Sequence, residues 1–97
     1  MNEKQKDELM IKLIDNLPTL RKRLNLTQVE LSTMIGLSRY TIMALEKKQR
    51  NITWNTFLSL LMIFMANCET NKLLCAMEIY SNELREFLNV GRNKGNK

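Results

Sequence analysis

The feature that most constrains the fold is a pair of short helical segments separated by one glycine. Thr27 opens the first segment with a capping-box pattern, in which its hydroxyl and the Glu30 carboxylate each accept from the other residue's backbone amide. Gly36 ends this segment, because glycine takes the left-handed conformation that a sharp turn needs. Ser38 is the predicted N-cap of the next segment, which covers about residues 39–47. The pattern predicts two short helices joined by a tight turn.

Leucine periodicity predicts a longer helix before this pair. Five leucines between residues 8 and 24 recur at spacings of three and four, which is the pattern of an amphipathic helix. Pro18 interrupts the pattern without changing its phase, although proline lacks an amide hydrogen and clashes with the preceding turn. We therefore expect one kinked helix, with two helices broken near Leu17 as the alternative.

Three more helix starts are predicted at Thr53, Thr70 and Ser81, because their hydroxyls can accept from the amides of a first turn. The helix after Thr53 is expected to extend to about residue 66, and the two later helices are expected to be short. An apolar stripe on the Thr53 helix is expected mainly to pack in the core; it consists of Trp54, Phe57, Leu61, Phe64 and Met65.

Length and composition favour one all-α domain. The 97 residues suffice for a single modest core, and seven methionines, three glycines and one proline suit helices better than sheets. We expect a compact bundle of about five short helices with an additional short C-terminal helix. The domain is predicted to cover residues 1–90, with its core in 9–66 and the two-helix unit in 28–47. Residues 70–88 either form a dimer surface or complete the core, and residues 91–97 are expected to form a flexible basic tail.

The sequence argues against several classes of protein. No stretch approaches the roughly 20 apolar residues that span a bilayer, and the N-terminal residues are charged, so we expect a cytoplasmic protein without a membrane segment or signal peptide. Histidine is absent, which excludes the usual zinc spacings and histidine-based triads. No metal, cofactor or enzymatic activity is expected. Cys68 and Cys75 are expected to lie in the core as small hydrophobic side chains.

The positive charge is concentrated in the middle of the chain. Residues 21–50 hold seven basic and two acidic side chains, so their net charge equals the +5 of the whole chain. A local surface that binds a polyanion explains this distribution, and so does a solvated charged face.

Residues 28–47 also carry suitable side chains at the offsets that two steeply crossing helices need, namely Leu31, Ser32, Ile35, Gly36, Leu37, Ile42 and Leu45. The stretch LRKRLNLTQVELSTMIGLSRYTIMALEKKQR resembles the lambda-repressor and Cro type of helix-turn-helix domain, and the resemblance covers about residues 9–66. Ser32 replaces the alanine common in that family. Lys48 stands where a glycine often follows the glutamate, so the loop after the third helix is expected to differ.

The resemblance implies a bacterial or phage regulator of transcription, expected to be a repressor, that binds double-stranded DNA as a homodimer. Its third helix would enter the major groove and contact base edges. The candidate base contacts are Arg39, Tyr40, Thr41 and Ala44, with Met43 as an alternative to the last. The candidate phosphate contacts are Thr27, Gln28, Ser38, Arg21, Arg23, Lys47, Lys48 and Arg50. Similar domains also pair an arginine of the first helix with the glutamate that ends the third, here Arg21 and Glu46.

Other interpretations stay open. Solvation alone would explain Arg39, and surface packing would explain Tyr40. The chain could be an antitoxin-like protein whose late helices bind a partner protein, or a scaffold that has lost DNA binding. The basic residues near the third helix argue against a pure scaffold, because a protein-binding surface should be less cationic there.

Overall fold

The computed structural model describes residues 1–90, which form six helices and no strand. The prediction of an all-α bundle is therefore confirmed. The tail expected at residues 91–97 lies outside the described residues. Within residues 1–90 no helix is both long enough and apolar enough to cross a membrane. The helices are α1 (Glu3–Arg23), α2 (Gln28–Ile35), α3 (Arg39–Glu46), α4 (Trp54–Ala66), α5 (Cys68–Ala76) and α6 (Asn82–Leu88).

Each helix begins at a residue whose side chain accepts a hydrogen bond from a backbone amide of the first turn. The capping box predicted at Thr27 is present: its Oγ1 accepts from Glu30 N at 3.0 Å, and Thr27 N donates to Glu30 Oε1 at 2.8 Å. Ser38, Thr53 and Ser81 cap α3, α4 and α6 as predicted. The helix α1 begins five residues earlier than expected, because Asn2 forms a second capping box with Gln5. The sequence contained that signal, which our prediction missed.

The helix α1 continues through Pro18 without a break. Of the two interpretations, a single helix is therefore correct. An internal proline removes one backbone hydrogen bond and costs about 3 kcal/mol. Burial of the leucines on either side of it offsets that cost: Leu13, Leu17 and Leu20 are all fully buried. Packing of the leucine stripe decides the structure here, and local propensity does not.

Two predictions for the region of α5 are wrong. Asn67 caps α5, its Oδ1 accepting from the backbone amides of Glu69 and Thr70. Thr70 lies inside the helix, fully buried, and its hydroxyl donates to the carbonyl of Phe64. Cys68 and Cys75 are exposed free thiols rather than core residues. The buried side of α5 is set by Thr70 and Leu74, which are four residues apart, and neither cysteine lies on that side.

The core lies where α1 packs against α3, α4 and α5. In the stripe predicted on α4, Phe57, Leu61 and Phe64 are buried, while Trp54 and Met65 are partly buried against the core. The late helices contribute Leu74 and Leu84 to the same core. The fully buried large side chains are Phe57, Phe64, Leu13, Leu17, Leu20, Leu31, Ile42, Leu45, Leu60, Leu74, Ile79 and Leu84.

Four helices end in the same way. After α1, α2, α3 and α5, one residue with positive φ lets the chain return hydrogen bonds to the last helical carbonyls, as in a Schellman motif. At the end of α3, for example, Gln49 N donates to Ala44 O at 2.8 Å and Lys48 N donates to Leu45 O at 3.1 Å. Only one of the four residues is a glycine; the positions are Asn25, Gly36, Lys48 and Glu78.

Candidate nucleic-acid interface

The turn between α2 and α3 gives the two helices their helix-turn-helix arrangement. Gly36 has a φ of 73°, and Leu37 N donates back to Ser32 O at 2.9 Å. Ser32 is 4% exposed, and its hydroxyl donates to Val29 O at 2.7 Å. The small buried Ser32 lets α3 pack closely across α2, while its polar atom is satisfied within its own helix. The buried serine hydroxyl is therefore not left without a partner.

A largely buried hydrogen-bond network holds the end of α3. Arg21 Nε donates to Glu46 Oε2 at 2.7 Å, and Arg21 Nη2 donates to Glu46 Oε1 at 3.1 Å. The third Arg21 nitrogen, Nη1, donates to the carbonyl of Leu26 at 2.9 Å. Gln28 Nε2 donates to Glu46 Oε1 at 3.0 Å. The pair expected between Arg21 and Glu46 is thus part of a network that joins α1, the loop after it, α2 and α3.

The opposite end of α3 is open to solvent. Ser38 Oγ accepts from Thr41 N at 3.1 Å and lies 3.0 Å from the Thr41 hydroxyl, so the first turn of α3 is held by its cap. Arg39 and Tyr40 are exposed, and Tyr40 is 75% exposed. Thr41 and Ala44 are half-buried on the same helix. The four candidate base contacts therefore occupy one helix of eight residues.

The four exposed basic candidates fall into two groups. Lys47 and Arg50 are exposed and form no ion pair within residues 1–90. Lys48 Nζ lies 2.9 Å from Asp15 Oδ1, and Arg23 Nη1 lies 3.5 Å from Glu69 Oε1. About half or more of each of these four paired side chains is exposed. Such surface pairs contribute about 0–1 kcal/mol, so they hold their lysine or arginine only weakly.

The remaining phosphate candidates, the Arg21 guanidinium among them, are already engaged by protein groups. The Thr27 hydroxyl and the Ser38 hydroxyl serve as helix caps, and the Gln28 amide contacts Glu46. The backbone amides of Gln28 and Val29 donate to no acceptor within residues 1–90, as is usual in the first turn of a helix. At the start of α2, the backbone is therefore better placed than the side chains to bind an anion.

Sequence reasoning missed the partners of these groups. Asp15 and Glu69 pair with two of the basic candidates, and the Leu26 carbonyl accepts from Arg21. Each acid lies more than thirty positions along the chain from its basic partner, so no local spacing indicated the pairing. Leu26 contributes through its main chain, which the identity of a side chain does not reveal. Within residues 1–90, no three His, Cys, Asp or Glu side chains are placed to hold a metal ion.

Comparisons of the chain with protein-family models, with curated proteins and with solved structures found no match.

Proposed function

We propose that this protein is a sequence-specific DNA-binding regulator of transcription and that α3 is its recognition helix. One observation carries the proposal: α3 presents an exposed N-terminal turn, while the Arg21–Glu46 network fixes its other end. A rigid helix with free polar side chains at one end suits base recognition, because base contacts require side chains held in register. An α-helix with its side chains is 10–12 Å wide and the major groove is about 12 Å wide, so the groove can hold a helix such as α3.

The exposed Arg39 and Tyr40 and the half-buried Thr41 and Ala44 match the chemistry of base edges. The Arg39 guanidinium can donate two parallel hydrogen bonds to guanine O6 and N7. The methyl groups of Thr41 and Ala44 can pack against the methyl group of thymine. Tyr40, as an exposed aromatic residue beside Arg39, supplies both an apolar ring and a hydroxyl. We propose that Arg39 and Tyr40 provide most of the discrimination between sequences.

The basic residues beyond the end of α3 would position the helix on the backbone. Lys47 and Arg50 are free to contact phosphates, and Lys48 and Arg23 can exchange a weak surface pair for a phosphate. Each phosphate neutralised releases counterions, so each contributes about −0.9 to the slope of log K against log salt. These contacts raise affinity for every duplex equally and do not select a sequence.

Selection from a pool of random duplexes tests the proposal directly. The purified protein is expected to enrich one motif at near-physiological salt. Arg39→Ala and Tyr40→Ala should each weaken binding to that motif by about 5- to 150-fold, because one good base contact provides about 1–3 kcal/mol of discrimination. Lys72→Ala is the matched control, since Lys72 is an exposed basic residue on α5, and it should bind as the wild type does.

Lys47→Ala separates backbone contacts from base contacts. It should weaken binding to specific and random duplexes by the same factor and reduce the salt slope by about 1. Failure to enrich any motif, with equal losses in Arg39→Ala and Lys72→Ala, would refute the proposal. That result would favour the antitoxin-like or scaffold alternative, in which the late helices bind a partner protein.

A further inference from the structure

Two acidic side chains lie beside basic residues that are proposed to contact phosphates. Asp15 Oδ1, on α1, is 2.9 Å from Lys48 Nζ, which belongs to the loop after α3. Glu69 Oε1, in the first turn of α5, is 3.5 Å from Arg23 Nη1 at the end of α1. Tertiary packing brings each acid to its base, because neither pair lies within one helix. The proposed function gives these two acids no role.

Stability does not account for the two pairs either. All four side chains are at least 49% exposed, and ion pairs in that position add little to the stability of a fold. Lys48 also has a φ of 59°, a backbone conformation in which glycine would be unstrained. The Lys48 side chain is therefore not required by the turn that it occupies, and its charge is available for another purpose.

A carboxylate and a DNA phosphate are rival partners for the same cation. Both present anionic oxygens, and an ammonium or guanidinium group binds either through charge-assisted hydrogen bonds. A phosphate that takes the place of the carboxylate leaves that acid unpaired beside a second anion, and like charges repel. Each paired base therefore gains less from contacting a phosphate than an unpaired base does.

We propose that Asp15 and Glu69 compete with DNA phosphates for Lys48 and Arg23, and so lower the affinity of the protein for DNA. The inference rests on the proposed function, because it concerns the same basic surface. Phosphate contacts do not depend on the base sequence, so the two acids weaken binding to every duplex by the same factor. They limit the occupancy of DNA in general and leave the choice of sequence to α3.

Equilibrium binding of the purified protein to a labelled random-sequence duplex at near-physiological salt tests the competition. Asp15→Asn and Glu69→Gln should each tighten binding by about 1.4- to 5-fold, the range that corresponds to exposed ion pairs. The gain should be larger for Asp15→Asn, whose pair is shorter. Glu86→Gln is the matched control, since it removes the same charge from an exposed residue of α6 that forms no ion pair within residues 1–90. It should bind within about 1.2-fold of the wild type, because salt screens a change in net charge alone.

A variant without the cation separates competition from simple repulsion between Asp15 and DNA. In the background Lys48→Gln, the gain from Asp15→Asn should fall to half or less on a logarithmic scale, because the base for which the acid competes is gone. Both positions are exposed, and helical circular dichroism checks that each variant is folded.

Unchanged or weaker binding in Asp15→Asn would overturn the inference, since weaker binding would mean that the acid holds Lys48 in place for DNA. A gain that stays above half in the Lys48→Gln background would overturn it as well. Either result, with a motif enriched by the wild type, is a failure of this inference alone. The absence of any enriched motif is instead a failure of the proposed function, so the two can be told apart.

Discussion

The Arg21–Glu46 network yields the sharpest prediction about stability. Glu46 accepts three hydrogen bonds, two from Arg21 and one from Gln28, and the Arg21 and Glu46 side chains are 11% and 8% exposed. The substitution Glu46→Gln removes the negative charge and leaves a guanidinium almost out of contact with water. Removing one partner of a buried ion pair lowers the free energy of unfolding by about 3–5 kcal/mol. Arg21 keeps its bond to the Leu26 carbonyl, so we expect a loss of about 3 kcal/mol.

Urea unfolding followed by circular dichroism at 25 °C measures this loss as a lower midpoint at unchanged slope. A loss of this size is a large part of the 5–15 kcal/mol by which domains are usually stable. Asp15→Asn is the control for an exposed pair, and it should cost less than about 0.5 kcal/mol because Lys48 stays hydrated. The double variant Arg21→Met/Glu46→Met should be more stable than Glu46→Met alone, since no uncompensated charge is buried in it.

Two results would refute this reasoning. The first is a Glu46→Gln protein whose free energy of unfolding lies within about 0.5 kcal/mol of the wild type, the range of ordinary surface substitutions. The second is a double variant whose loss equals the sum of the losses in Arg21→Met and Glu46→Met. That sum would mean that the two side chains act independently, although their atoms are 2.7 Å apart.

Three further predictions concern single sites and are checked by the same unfolding measurement. Lys48→Gly should stabilise the protein by about 0.5–1 kcal/mol, because lysine is strained at a φ of 59° and the lost pair with Asp15 is weak; a loss of stability would contradict this. Gly36→Ala should cost about 1 kcal/mol through strain at positive φ alone, since a Cβ there meets nothing within 4 Å, and a cost above about 3 kcal/mol would indicate a clash. Thr70→Val should cost about 1–2 kcal/mol, because the Phe64 carbonyl loses its buried donor, and a neutral result would show that this bond contributes nothing.

Helix starts were the part of the fold that the sequence predicted best. Thr27, Ser38, Thr53 and Ser81 all cap helices as expected. The signal is strong because a cap is a local interaction. One hydroxyl accepts a hydrogen bond from a backbone amide only two or three residues further along the chain. The prediction at Thr70 was wrong because Asn67, three residues earlier, is an equally good cap, and burial of Thr70 against α4 decides between them.

Helix ends were predicted less well. Gly36 was identified, because glycine is the usual residue at positive φ. Asn25, Lys48 and Glu78 adopt the same conformation with a side chain present, and lysine and glutamate give no such indication in a sequence. In the candidate site, the positions on α3 followed from the resemblance to a helix-turn-helix domain. The pairing of Lys48 with Asp15 did not follow from the sequence, because it depends on the tertiary packing of α1.

The lack of charge in α4 has a consequence for the unfolded chain. Between Arg50 and Glu69 no residue is charged and none is proline, and this segment includes the apolar run FLSLLMIFMA. In the folded protein Phe57, Leu60 and Phe64 are fully buried, so the run is protected. Once unfolding exposes it, no charged gatekeeper interrupts a segment able to form intermolecular β-structure. The solubility of this protein in the cell therefore depends on how rarely α4 leaves the core, which links its abundance directly to its free energy of unfolding.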